Sequence, residues 1–296
     1  MKKISLVLGS GGARGLAHIG VIRWLEEHDY QIKSISGCSA GALIGGVYAA
    51  GKLDEFEHWV RAITKLNMVM LLDISWSRGG MVKGDKFINT LVDLVGDELI
   101  ENLPIAYTAV AADIKNEKEV WINSGSLFEA IRASISLPLF FTPYPRNGTK
   151  LIDGGVLNPV PIAPTFGDDT DMTIAVNLGG KVERHPTPKI LLETAAQEPT
   201  AFGQKISRYI KRMQQSKSSP SDMDWGMYDV VSQAFESMQS TIAKQKLAAY
   251  PPDHIIEIPK NACRTLEVYR ADEMIALGYQ RAQQCLLSIK SDDPPG

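Results

Sequence analysis

Along the first half of this chain, short apolar runs end in glycine-containing turns and are followed by apolar positions at helical spacing. Ile4 to Leu8 is the first such run. Gly9-Ser10-Gly11-Gly12-Ala13-Arg14-Gly15 follows it, and a helix is predicted from about Ala13 to His28. The pattern repeats at once: Ile32 to Ile35 leads through Ser36 into Gly37-Cys38-Ser39-Ala40-Gly41, which opens a helix running from Ser39 until Gly51. Leu53 to Leu66 and Asp85 to Val95 carry apolar residues at helical intervals, the second stopping at Gly96. Ile105 to Ala112, Glu119 to Ile122, Lys150 to Asp153 and Thr173 to Leu178 read as strands. Between them Ser126-Leu127-Phe128-Glu129 forms a capping box for a helix that Pro138 prevents from continuing. Strands alternating with helices predict an α/β fold with a mostly parallel sheet.

After about residue 183 the texture changes. Two long helical stretches, about 189–215 and 224–250, flank a Ser-Pro-rich break at Ser216 to Ser221, and Ile255 to Ile258 reads as one more strand. Asp272 is expected to cap a closing helix with Ile275, Ala282, Leu286 and Ile289 on its apolar side. The expected organisation is a single domain over 1–290, with the helical segment at 189–250 and a disordered tail at 291–296.

Composition narrows the function classes. With 296 residues, 44% of them hydrophobic, the chain is long enough to bury a large core. A net charge of -3 supplies no general attraction for nucleic acid. Cys38, Cys263 and Cys285 are odd in number and widely spaced, which argues against a disulfide framework or a zinc site. The apolar run after Met1-Lys2-Lys3 ends at Gly9, too short for a signal peptide, and no apolar stretch approaches the ~20 residues of a membrane-spanning helix. A cytoplasmic protein is expected, with peripheral contact at the inner membrane surface left open.

The chemistry concentrates in the glycine turns. A G-x-S-x-G serine between strand and helix is lifted clear of the backbone, which makes Ser39 a candidate nucleophile within an elbow framed by Gly37 and Gly41. Its hydroxyl needs a base and a site for the oxyanion it creates. The loop Gly9 to Gly15, at a helix start, offers free amides, so Gly11 and Gly12 are candidates for the oxyanion hole. Arg14 either adds charge there or ties the loop down. Asp153, at the end of a strand and followed by the turn Gly154-Gly155, is the candidate base.

Taken together, these residues resemble the patatin-like phospholipase family. The resemblance rests on four motifs in the family's order: Gly9 to Gly15, Gly37 to Gly41, the run Ala130-Ile131-Arg132-Ala133-Ser134-Ile135-Ser136-Leu137-Pro138, and Asp153-Gly154-Gly155. With Leu16-Ala17-His18-Ile19-Gly20 after the first loop, the chain looks like the bacterial relatives of neuropathy target esterase. The sequence departs from the family at Ser10, where a glycine is common. The resemblance implies a three-layer α/β/α sandwich, a Ser39–Asp153 dyad without histidine, main-chain amides of the first loop as oxyanion hole, and a phospholipid, lysophospholipid or other fatty-acyl ester as substrate. It implies no metal and no organic cofactor. With an ordinary carboxylate pKa of ~3.9 for the base, no histidine limb near pH 6 to 7 is expected in the activity profile.

Other readings stand beside this one. The first loop would suit a nucleotide phosphate, although it lacks the Lys-Ser/Thr of a P-loop. The chain order Ser39, Asp153, His254 is formally that of an α/β-hydrolase triad. A non-catalytic lipid-binding or regulatory protein is the alternative of another class. Cys38, whose side chain should diverge from that of Ser39, reads as packing. Lys205, Arg208, Lys211, Arg212 and Lys217 lie in a stretch without acidic residues, with Phe202, Ile206, Tyr209 and Met213 on one helical side. That composition fits a membrane surface or a helix packed on its own core. Met223, Met227 and Met238 would suit an acyl-chain groove or ordinary core filling.

Overall fold

The computed structural model describes residues 1–64, 84–138, 140–184, 186 and 227–290. Residues 1–188 and 236–296 make one compact unit; 189–235 make a second, which lies almost wholly outside the described residues. The basic residues Lys205, Arg208, Lys211, Arg212 and Lys217, the first of the two late helices, Met223 and the tail 291–296 all lie outside the described residues.

The core of the first unit is an eight-stranded sheet with helices on both sides, a three-layer α/β/α architecture. Its strands are β1 (Lys2–Leu8), β2 (Tyr30–Cys38), β3 (Ala106–Asp113), β4 (Lys118–Ile122), β5 (Tyr144–Arg146), β6 (Thr149–Asp153), β7 (Met172–Gly180) and β8 (His254–Pro259). They lie in the order β5-β6-β3-β2-β1-β7-β8, with β4 also paired to β3. Pairings among β3, β2, β1, β7 and β8 are parallel, whereas β4 and β6 run antiparallel to β3. Ile4, Leu6, Val7 and Leu8 are all wholly buried, as expected of a strand covered on both faces.

The chain steps from β1 to β2 to β3 in one direction and returns to place β7 on the other side of β1. The reversal puts a crevice beyond the carboxyl ends of β1 and β7, where such sheets hold ligands. Among the described residues the helices of this unit are α1 (Ala17–Glu27), α2 (Ala40–Ala49), α3 (Leu53–Arg61), α4 (Asp85–Val95), α5 (Leu127–Ser134) and α7 (Ala271–Lys290). A further helix, α6 (Met227–Ala249), contributes its residues from Glu236 onward.

Most predicted elements lie within two or three residues of these limits; the helix predicted over Leu53 to Leu66 ends at Arg61, and three further differences stand out. The helix predicted from Ala13 begins as a 3-10 turn, Gly12–Leu16, and becomes α-helical only at Ala17. Gly12 has φ 57° and the Ala13 amide is bonded to the Thr265 carbonyl, so tertiary contacts hold the start out of α geometry. Asp272 sits in the first turn of α7 rather than at its cap. The short strand β5, absent from the sequence reading, exists because a turn through Asn147 and Gly148 folds it onto β6. Ser126 caps α5 as predicted, its hydroxyl accepting from the Glu129 amide.

Candidate active site

Ser39 stands between β2 and α2 with φ 56° and ψ -122°, a conformation costly for any residue with a Cβ. The surroundings hold it there. A Cβ on Gly37 would lie 2.5 Å from the Gly41 carbonyl, and one on Gly41 would overlap the carbonyl of Leu8, so the elbow closes only with glycine at both positions. The Ser39 amide donates to Ser134 Oγ at 2.9 Å, and the Ser134 hydroxyl donates to the Val110 carbonyl at 2.7 Å. Ser39 retains 8% of its exposure and opens onto a cavity.

Asp153 is wholly buried. Its amide donates to the Ser136 carbonyl at 3.0 Å, and its Oδ1 accepts from the Gly155 amide at 2.8 Å and from Cys38 Sγ at 3.7 Å. Burial pushes its pKa up to about 6, against the opposing effect of the nearby Ser39 hydroxyl, the Gly155 amide and the Cys38 thiol. The Ser39 hydroxyl is thus close enough to favour the charged carboxylate, while Oδ2 accepts no bond of normal geometry among the described residues. Hydrogen bonds of this kind commonly tighten only when substrate is present.

The route by which Asp153 reaches Ser39 differs from the one its sequence position suggested. Its strand is antiparallel to β3, so the rule about carboxyl ends of parallel strands does not place it. Instead β6 stops beside Ala111, and Gly154, pressed on the Val110 carbonyl with no room for a Cβ, turns the chain away.

The first glycine loop is fastened at four amides: Gly9 to Val176, Ser10 to Pro159, Ala13 to Thr265, and Arg14 back to Gly11. The amides of Gly11 and Gly12 have no acceptor among the described residues. Of the two roles open to Arg14, the geometry gives it the tie: its guanidinium donates to the carbonyls of Lys260 at 2.9 Å and Cys263 at 3.2 Å and faces Glu236 at 3.5 Å. Those bonds fasten the loop to the β8–α7 connection and to α6, while the buried Nε has no partner among the described residues. His18 fastens the same loop from below. Its Nε2 lies 2.9 Å from the Gly9 carbonyl, which requires the proton on Nε2, and burial lowers its pKa to about 4.

A cavity of about 140 Å³ runs from Ser39 and Gly12 between α2, α3 and α4, walled by Leu43, Phe56, Trp59, Phe87, Leu137 and Phe140. The methionines are not its walls as far as they are described: Met238 is 56% exposed.

His254 does not join the site. It lies on β8 in register with Ile174, three strand spacings from β2, roughly 14 Å sideways before any distance along the strands. The triad reading therefore fails on topology.

Two contributions escaped the sequence reading. Cys38, read as packing, touches the Asp153 carboxylate. Ser134 and Ser136 from the run Ala130 to Pro138 hold the backbones of Ser39 and Asp153 respectively. The run itself was the signal; nothing in it specified which atoms it would hold.

Residues 6–166 match the family model for patatin-like phospholipase. An uncharacterized NTE family protein of Mycobacterium tuberculosis is 39% identical, with 98% of this chain and 93% of that protein covered. Lysophospholipase NTE1 of Saccharomyces cerevisiae is 31% identical over 62% of this chain, and neuropathy target esterase sws of Drosophila melanogaster is 32% identical over 60%. This chain spans only 11% and 13% of the lengths of those two proteins.

Proposed function

The chain belongs to the patatin-like phospholipase family and is a lipid ester hydrolase, and from that premise we propose that it cleaves fatty-acyl esters of phospholipids or lysophospholipids through a Ser39–Asp153 dyad. The observation that carries this reading is the contact of Cys38 Sγ with Asp153 Oδ1 at 3.7 Å, which sets Ser39, the next residue, near the buried carboxylate, while Ser39 itself opens onto an apolar cavity.

In the proposed reaction Asp153 takes the Ser39 proton as the hydroxyl oxygen attacks the ester carbonyl. The oxyanion of the tetrahedral intermediate is met by the free amides of Gly11 and Gly12 and by the start of α2. Protonated Asp153 returns the proton to the departing alcohol, leaving an acyl-enzyme on Ser39. Water, deprotonated by the same carboxylate, then attacks the acyl carbon, and as its bond to Ser39 breaks Asp153 returns the proton to the Ser39 oxygen and the fatty acid leaves. The acyl chain occupies the cavity between α2, α3 and α4, whose aliphatic and aromatic walls suit a hydrocarbon.

A pKa of about 6 fits Asp153 for this task better than an ordinary carboxylate value, being nearer neutral pH yet leaving the group ionised there. A fluorophosphonate probe tests the reading. Wild type is expected to label stoichiometrically and turn over lysophospholipid, Ser39→Ala to do neither, and Asp153→Asn to lose turnover by at least about a thousandfold. Labelling of Ser39→Ala equal to wild type overturns the assignment.

A further inference from the structure

Cys38 precedes Ser39 in the elbow, and its thiol is wholly buried against the catalytic carboxylate. Its Sγ donates to Asp153 Oδ1 at 3.7 Å, and the Gly155 amide donates to the same oxygen at 2.8 Å. Two donors thus converge on Oδ1. Oδ2, equally buried, accepts no bond of normal geometry among the described residues. A carboxylate bound in this lopsided way cannot rotate freely, and its unspent lone pairs all lie on one oxygen.

We propose that Cys38 is a positioning residue that, with the Gly155 amide, pins Asp153 Oδ1 so that Oδ2 is the oxygen that takes the Ser39 proton. The proposal rests on the Ser39–Asp153 reading and deepens it. A thiol suits the role because it is a weak donor. It orients the carboxylate while withdrawing less of its basicity than a hydroxyl at the same place.

Among the described residues few other ionisable groups face this pair. Tyr107 on β3 is buried, which pushes its pKa well up, and its hydroxyl donates to the Ala42 carbonyl at 2.7 Å. Glu119 on β4 is penalised by burial, but bonds from Asn158, Lys246 and Trp121 hold it below its usual range. On the remaining side Gly155 packs against Ser10 Oγ and Gln239 Nε2, neither of which titrates. Across the acid range the thiol–carboxylate contact therefore changes mainly with Asp153 itself.

The test compares kcat, KM and the pH dependence of kcat/KM for wild type, Cys38→Ala, Cys38→Val and Cys38→Ser, using a soluble short-chain 4-nitrophenyl ester. Removing the donor in Cys38→Ala and Cys38→Val is expected to lower kcat about three- to tenfold at unchanged KM and to move the acid limb upward by about half a pH unit. Cys38→Ser restores a donor, so kcat recovers and the limb moves below that of wild type. Cys38→Val keeps the side-chain bulk, and melting temperatures identify any variant that fails to fold; the Val and Ser pair then decides. Superimposable profiles for all variants, or a Cys38→Ser enzyme as impaired as Cys38→Val, overturn the proposal. Asp153→Asn separates the two levels. Wild-type turnover in that variant removes the dyad itself, whereas an inactive Asp153→Asn beside unaltered Cys38 variants removes only the positioning role.

Discussion

The Ser39 amide is held by the hydroxyl of Ser134, 95 positions later in the chain, at 2.9 Å. That hydroxyl donates its own hydrogen bond to the Val110 carbonyl, the same carbonyl on which Gly154 rests. One peptide oxygen in the middle of the sheet therefore sets both the elbow of Ser39 and the turn after Asp153.

Ser134→Ala leaves the Ser39 amide and the Val110 carbonyl without their side-chain partner. The loss is expected to lower kcat about tenfold, with KM within about twofold, and to cost about 1–2 kcal/mol of stability. Steady-state kinetics beside a urea titration checks both parts. A fall in stability with unchanged kcat would mean that the elbow does not need this support.

Activity is expected to fall at low pH with a midpoint near 6, because Asp153 must be ionised to accept the proton and burial has pushed its pKa to about 6. A sequence-level expectation of an ordinary carboxylate value would put this limb far lower, and its position invites assignment to a histidine. Two measurements separate them. His254→Ala should leave the limb in place, and the midpoint should shift little with temperature, as for a carboxylate and unlike an imidazole.

The same carboxylate makes stability depend on pH. Its pKa is about 6 in the fold against an ordinary 3.8, so the folded state favours the protonated form; that advantage is complete below about pH 3.8 and is lost as pH rises through 6. At pH 8 the fold holds a buried charge at a cost of roughly 3 kcal/mol, which Asp153→Asn should recover. The gain should shrink to nothing near pH 3.5. His18 works in the opposite direction: lowered to about 4 by burial, it holds full stability above pH 6.5 and loses it as pH falls toward 4. Because both proteins contain His18, the difference between their chemical-denaturation curves isolates Asp153.

Chain-length preference is expected to follow the cavity. Leu43 lines it beside Ser39, and Leu43→Trp would fill part of the volume. Turnover of a sixteen-carbon ester should fall by about tenfold or more, while that of a four-carbon ester stays within about threefold. Equal losses on both esters would place the acyl chain elsewhere.

Gly41→Ala adds a methyl group where the Leu8 carbonyl already sits. Neither main-chain segment can yield without disturbing the pairing of β1 with β2, so a loss of about 3 kcal/mol or more is expected from a single carbon atom. Urea midpoints of the variant and wild type check it, and a change under about 1 kcal/mol would contradict the close approach.

How much was legible in the sequence depended on how local the cause was. The strand of Ile4 to Leu8, the helix of Asp85 to Val95 and the cap at Ser126 follow from hydrophobic spacing and turn chemistry within a dozen residues, and each lies where the pattern puts it. The four motifs likewise carried the family and its α/β/α layers, because glycines needed for close approach leave a mark in the sequence itself. The partners of side chains left no such mark. Nothing in the sequence told whether Arg14 would face an oxyanion or the carbonyls of Lys260 and Cys263, or that the Cys38 thiol would meet Asp153. Nor did it disclose that α1 and α7 touch through Gly20 and Gly278, each packed on a main-chain carbonyl of the other helix. Residue type and spacing by themselves determined the elements, their order and the candidate groups. The antiparallel entry of β6, the raised pKa of Asp153 and the exclusion of His254 were decided only by the tertiary structure, since burial and distance arise from segments far apart in the chain being packed together.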